Sequence, residues 1–180
     1  ALSSSLWFNA GLRGDFIAWN INSTSTTLKN RQAQALSPKM SLTQSFWENS
    51  KMYVAAYQTF RGPQANTFFF AATGFLPNLN IQPETAKTYE AGIKLHGLRL
   101  PEMSLNVFHT DIDQEILFDS ITLSDQNFNS FHEGVELAFK PNLNDQWSMG
   151  LEATWLRAQF VGGAYDKKNI PLSPGQNRVL

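Results

Sequence analysis

Thr88-Tyr89-Glu90-Ala91-Gly92-Ile93-Lys94-Leu95-His96 decides the reading of this chain. Tyr89, Ala91, Ile93 and Leu95 alternate with Glu90, Gly92, Lys94 and His96. Successive side chains of a strand point to opposite faces, so this stretch has one apolar face and one face that carries charge. Gly134 to Phe139 repeats the pattern, with Val135, Leu137 and Phe139 set against Gly134, Glu136 and Ala138. Leu6, Phe8, Ala10 and Leu12 oppose Trp7, Asn9, Gly11, Arg13 and Asp15, and Met149, Leu151, Ala153 and Trp155 oppose Ser148, Gly150, Glu152 and Thr154. Charges in mid-strand, opposite an apolar side, suit a strand with one wet face.

Working outward, the pattern predicts about eight strands, near Leu6 to Asp15, Gln34 to Phe46, Lys51 to Phe60, Thr88 to His96, Met103 to Leu117, Phe128 to Phe139, Trp147 to Phe160, and from Pro171 to the end. Their lengths approach the roughly 9 to 11 residues that a tilted membrane strand needs. Connections alternate. Trp47 to Ser50, Gly97 to Glu102 and Lys140 to Gln146 are compact, whereas Phe16 to Ala33, Arg61 to Lys87, Asp119 to Asn127 and Val161 to Ile170 are mostly longer. In an outer-membrane barrel the short turns face the periplasm and the long loops the exterior. Phe46, Trp47, Phe139 and Trp147 near the short turns, and Phe60, Tyr89 and Trp155 near the long loops, read as two interfacial girdles. The expected fold is all-β, an antiparallel up-and-down transmembrane β-barrel segment, with residues 1–180 as a single domain.

Composition agrees. The 180 residues carry a net charge of −1 and 16% charged residues, which gives no basic excess for nucleic acid. No run approaches the roughly 20 apolar residues of a membrane helix, so a spanning structure has to be a barrel. The absence of cysteine excludes disulfides and thiolate metal sites. Ala1 falls in mid-pattern, without the charged and apolar regions of a signal peptide.

Two strands break the rhythm. Lys51 to Phe60 is apolar on both sides, and Met103 to Leu117 puts His109, Asp111, Asp113 and Glu115 in line with Met103, Leu105 and Val107. Either a bulge shifts the register there or the upper half of the strand projects above the lipid. The four acidic and histidine side chains read as a solvated strand end rather than a cation site, because the glycine of a calcium loop is missing. His96 and His132 read as lumen or loop residues, and neither a nucleophile elbow nor a phosphate-cradling glycine loop occurs, so no enzyme is expected. Arg13, Lys39, Glu90, Lys94, Glu136 and Glu152 read as a lumen-facing network that hydrates or pairs across strands, or else as the lining of a transport path. The loop Arg61 to Lys87 contains Phe68-Phe69-Phe70, aromatics that forfeit burial unless something covers them. They read either as loop packing or, with Arg61, as a wall for an extracellular ligand.

The segment Pro83-Glu84-Thr85-Ala86-Lys87-Thr88-Tyr89-Glu90-Ala91-Gly92-Ile93-Lys94 resembles the P-E-x-x-x-x-Y-E-x-G-x-K stretch of TonB-dependent outer-membrane receptors. Gly11-Leu12-Arg13, Ser37-Pro38-Lys39-Met40-Ser41-Leu42, Met52 to Tyr57 with Phe60-Arg61-Gly62-Pro63, Asn106 to Ile112, Glu133 to Leu137 and Asn169 to Pro174 follow that family in order. The resemblance implies an open portion of a 22-stranded barrel in the outer membrane of a Gram-negative bacterium. It implies uptake of a ferric siderophore or similar chelate, contact with outer-membrane lipid, and contact with TonB only through an N-terminal plug region absent from these residues. No bound cofactor is implied. Two other readings stay open: a self-contained eight-stranded outer-membrane barrel with a structural, adhesive or enzymatic role, and a soluble antiparallel barrel or sandwich holding a small apolar molecule.

Overall fold

The computed structural model describes residues 5–19, 31–47, 50–64, 78–97, 100–144, 147–171 and 178–179. The strands are β1 (Ser5–Trp19), β2 (Arg31–Phe46), β3 (Ser50–Arg61), β4 (Glu84–Gly97), β5 (Leu100–Asp119), β6 (Ser124–Lys140), β7 (Asn142–Asn144), β8 (Trp147–Ser148), β9 (Leu151–Phe160) and β10 (Arg178–Val179). β1 to β6, β9 and β10 form one antiparallel sheet in that order, each strand beside its neighbour in sequence. Seven of these strands are long. β1 and β10 end the order without pairing to each other among the described residues, so the sheet is open and does not support the closed eight-stranded reading.

Cross-strand partners share a face, so the register fixes which residues stand together. One row runs Phe8, Leu42, Val54, Ala91, Val107, Val135 and Trp155. The row two residues nearer the short turns runs Leu6, Gln44, Met52, Ile93, Leu105, Leu137 and Ala153. These rows make a continuous apolar band. Leu6, Phe8, Met52, Val54, Val107 and Trp155 are all exposed on it, and fully burying such a side chain contributes roughly 1.5–3 kcal/mol. A single layer leaves this much apolar surface uncovered, more than a soluble monomer usually exposes to water. The opposite rows, such as Asn9, Ser41, Ala55, Glu90, Phe108, Gly134 and Leu156, are mixed and polar.

Two expectations are corrected. The long connection expected over Asp119 to Asn127 is a tight turn over residues 120–123, because β5 and β6 run on into it. β5 has 20 residues, about 65 Å of strand at roughly 3.3 Å per residue, so its upper part stands clear of the apolar band. The strand expected from Trp147 to Phe160 is divided. Pairing between β6 and β9 stops at Phe139 and Leu151, and β7 and β8 form a separate small hairpin below it. Pro141, which has no amide proton to give the ladder, stands at the break. The last expected strand, from Pro171 to the end, lies mostly outside the described residues; its Arg178 and Val179 pair with Thr154 and Ala153 of β9.

Of the two explanations offered for the irregular fifth strand, the bulge is observed. Ile112 pairs with Ser130 and Glu115 with Phe128, so β5 carries one extra residue there, and Gln114 takes a φ of 61°. Beyond this bulge the side chains change sides. His109, Asp111 and Asp113 continue the face of the apolar band as its charged upper edge, whereas Glu115 turns to the polar face.

Candidate functional site

The polar face is built by side chains that reach along the wall. Tyr53 extends over Gly92, where a Cβ would stand 2.5 Å from the ring, and donates its hydroxyl to Asn106 Oδ1 at 3.0 Å. Asn106 donates in turn to Glu136 Oε2 at 3.3 Å, and Tyr57 donates to Glu90 Oε2 at 3.5 Å. Lys39 lies over Gly11 in the same way. Toward the short turns Lys94 pairs with Glu102 at 2.9 Å and Lys140 with Glu152 at 3.8 Å. Of the charges expected to form an inner network, Lys39, Glu90, Lys94, Glu136 and Glu152 stand on this face. Arg13 shares it but pairs with Asp15, two residues along its own strand, at 2.8 Å. His96 serves through its backbone: its amide donates to Ser50 Oγ at 3.1 Å, and that hydroxyl donates back to the His96 carbonyl at 3.3 Å.

At the long-loop end the β5 bulge gathers a second set of groups. Arg61, at the end of β3, pairs with Glu84 at the start of β4 and reaches the Ile116 carbonyl at 3.4 Å. The same Glu84 oxygen accepts the Ile116 amide at 3.1 Å. Glu115 is buried, accepts a short hydrogen bond from Ser130 and lies 3.3 Å from His132 Nε2. Burial works to raise the Glu115 pKa, but hydrogen bonds from His132 and Ser130 and the charges of His132 and Arg61 outweigh it, holding the carboxyl below its ordinary value. Asn129 accepts the Gln114 amide, and Asn127 donates to the Gln114 carbonyl.

Loop segments flank the top of the β5–β6 hairpin on both faces. On one side Asn127 exchanges hydrogen bonds with the backbone of Gln82, and Asn78 donates to the Asp125 carbonyl. Ile81 is buried there against Trp19, Leu79 and Ile116, with Arg31 donating to the Leu79 and Ile81 carbonyls. On the other side Tyr165 and Ile170 pack with Phe128, Phe160, Leu117 and Ala158, and Tyr165 donates to Asp119.

Among the candidate ligand contacts, Arg61 therefore stands at the rim of the polar face, about half exposed and already ion-paired. Phe68, Phe69 and Phe70 lie outside the described residues. The bulge separates Glu115 from His109, Asp111 and Asp113, so those four do not form one set. His109 instead lies 3.1 Å from Asp111 and 3.6 Å from Glu133, and Arg157 pairs with that Glu133 at 3.2 Å. Sequence reading missed Glu84, Asn127, Asn129 and Ser130 as members of the rim. The one available signal was the broken alternation of β5, which located a bulge without naming its partners.

The family model described as "TonB dependent receptor-like, beta-barrel" matches residues 1–178. Among solved structures the chain is similar to the ferric-catecholate import receptor Fiu from K12 E. coli in its closed form. The TM-score is 0.63 at 19% sequence identity, over 88% of this chain and 26% of that one. At this identity the likeness speaks to fold alone, and the chain spans about a quarter of that receptor's length. A match over nearly every residue, joined to an open up-and-down sheet with one apolar and one polar face, makes this chain part of the β-barrel of the TonB-dependent receptor family.

Proposed function

We propose that this chain forms one sector of the wall of a TonB-dependent transporter in the Gram-negative outer membrane, working in the uptake of a ferric siderophore or similar metal chelate rather than as an enzyme. The carrying observation is the division of one sheet into an apolar band and a polar wall, because a barrel that conducts polar cargo needs lipid on one side and a hydrated lumen on the other. The polar wall is the lumen in this reading. Outer-membrane lipid covers the band that contains Val54, Val107 and Leu137, and TonB acts through an N-terminal plug region outside these residues.

The similar solved structure is titled a ferric-catecholate import receptor, which makes a ferric catecholate the first cargo to test. Arg61 supports an anionic chelate, since its guanidinium stands at the long-loop rim with half its surface open. Phe68, Phe69 and Phe70, eight to ten residues before Asn78 in the sequence, are the aromatic partners in this proposal.

The test is uptake of radioactive iron by cells that lack their own catecholate receptors and express the full-length receptor containing this segment. TonB-dependent accumulation of iron from a ferric catecholate supports the reading. No accumulation from catecholate, hydroxamate or haem, with the receptor present in the outer membrane, rejects iron transport.

A further inference from the structure

Above the bulge the β5–β6 hairpin loses its strand neighbours, and the loop segments around Ile81 and Tyr165 flank it instead. β4 pairs with β5 only up to Thr85 and Asp113, and β9 pairs with β6 only up to Phe160 and Ser130. Residues 115–128 are thus a two-stranded ribbon standing on a sheet, and such a ribbon is marginal by itself. Its root is held by side chains. Glu115 is the buried carboxylate among them, bonded to Ser130 and His132 of the opposite strand. The charged groups around it are Arg61 from β3, Glu84 from β4, one residue along at the Ile116 amide, and His132 from β6. From β9 the register brings Ala158 and Phe160, which are apolar.

We propose that Glu115, Ser130 and His132 form a proton-sensitive latch that fastens the β5–β6 arm to the rim of the barrel. With Glu115 ionised, the carboxylate holds two donors across the arm's root on the polar face. Protonation removes the charge that draws His132 and makes one carboxyl oxygen a donor that competes with Ser130 for the same space. Because the fold lowers the Glu115 pKa, the latch is closed above the ordinary glutamate range and opens as pH falls through the lowered value. Release then comes only below the ordinary glutamate range. The turn above stays formed, since Asp119 accepts the Ile121 amide and the Thr122 hydroxyl. The arm therefore moves as a unit with the loop residues bonded to it, Asn78 on Asp125 and Tyr165 on Asp119.

The experiment needs no cargo. In the full-length receptor in lipid vesicles, a nitroxide is attached at Ile121→Cys, an exposed residue of the tip, and separately at Ser104→Cys in the lower part of β5. The expected result is reversible loss of the immobile spectral component at 121 on acidification, with the 104 spectrum unchanged. Glu115→Ala should show that loss at neutral pH. Ser130→Ala, which keeps the carboxylate but removes one donor, should shift the release to higher pH. An immobile label at 121 throughout acidification overturns the latch. So does simultaneous change at 121 and 104, which is unfolding of the whole wall, and so does a Glu115→Ala spectrum equal to the unmodified receptor's.

Discussion

The Tyr53 ring lies across Gly92 and passes over β4 to reach Asn106 on β5, so two strands that do not pair with each other share a hydrogen bond through a third. Only a residue without a Cβ leaves that path open. Gly92→Ala should push the ring away, lose the Asn106 bond and lower stability by about 1–3 kcal/mol, the usual cost of overpacking. Tyr53→Phe, which keeps the ring but loses the bond, should cost only about 1 kcal/mol. Urea unfolding of the refolded full-length receptor measures both, and equal costs would mean that the hydroxyl, not the ring's seat, carries the effect.

The assignment of faces makes an asymmetric prediction. Leu137 and Leu151 stand on the apolar band, whereas Glu136 and Glu152 stand one residue away on the polar wall. Leu137→Arg or Leu151→Arg should impair insertion by up to roughly 2–4 kcal/mol, according to depth in the bilayer, while Glu136→Gln or Glu152→Gln should fold nearly normally. Folding yield into lipid vesicles reads this directly. Equal tolerance of the two sets would reject the facing.

Asn127 joins the bulge to the β3–β4 loop by three hydrogen bonds, to both backbone groups of Gln82 and to the Gln114 carbonyl. Asn127→Ala should cost about 1 kcal/mol, modest because water reaches the site, and should speed exchange of the Gln82 amide. Hydrogen exchange with peptide-level readout should find the change at residues 78–83 and leave β1 untouched. Unaltered exchange at Gln82 would show the loop to be held by Ile81 packing and Arg31 alone.

Cargo capture yields the remaining prediction. Arg61→Ala in the full-length receptor should weaken binding of a ferric catecholate by about tenfold, the loss of one charge-assisted contact of roughly 1.5 kcal/mol, with Arg61→Lys recovering part of it. Deleting Phe68 to Phe70 should weaken binding as well while leaving assembly intact, since extracellular loops vary without breaking the ladder. Unchanged affinity in a correctly assembled variant would reduce Arg61 to its pairing with Glu84.

Alternation alone located the long strands, their order and the face each side chain takes below the bulge. It succeeded at Tyr89 to Leu95 and Val135 to Phe139 because a strand with one apolar and one polar face has a period of two and no third environment to confuse it. It also marked β5 as irregular, because His109, Asp111, Asp113 and Glu115 follow Met103, Leu105 and Val107 at the same two-residue spacing.

What the sequence by itself determined about this protein is therefore the two-faced sheet and the family to which it belongs, since both are written in local spacing. What only the tertiary structure decided is the rim. The single extra residue at Gln114 sends Glu115 to the polar side, where Ser130 and His132 meet it from fifteen and seventeen positions away in the chain. Glu84 is set beneath Ile116 from 32 positions away. A change of face depends on whether one more residue is accommodated between two paired strands, and that is settled by the partner strand and the side chains that satisfy the freed backbone groups, not by the spacing of residues along one strand.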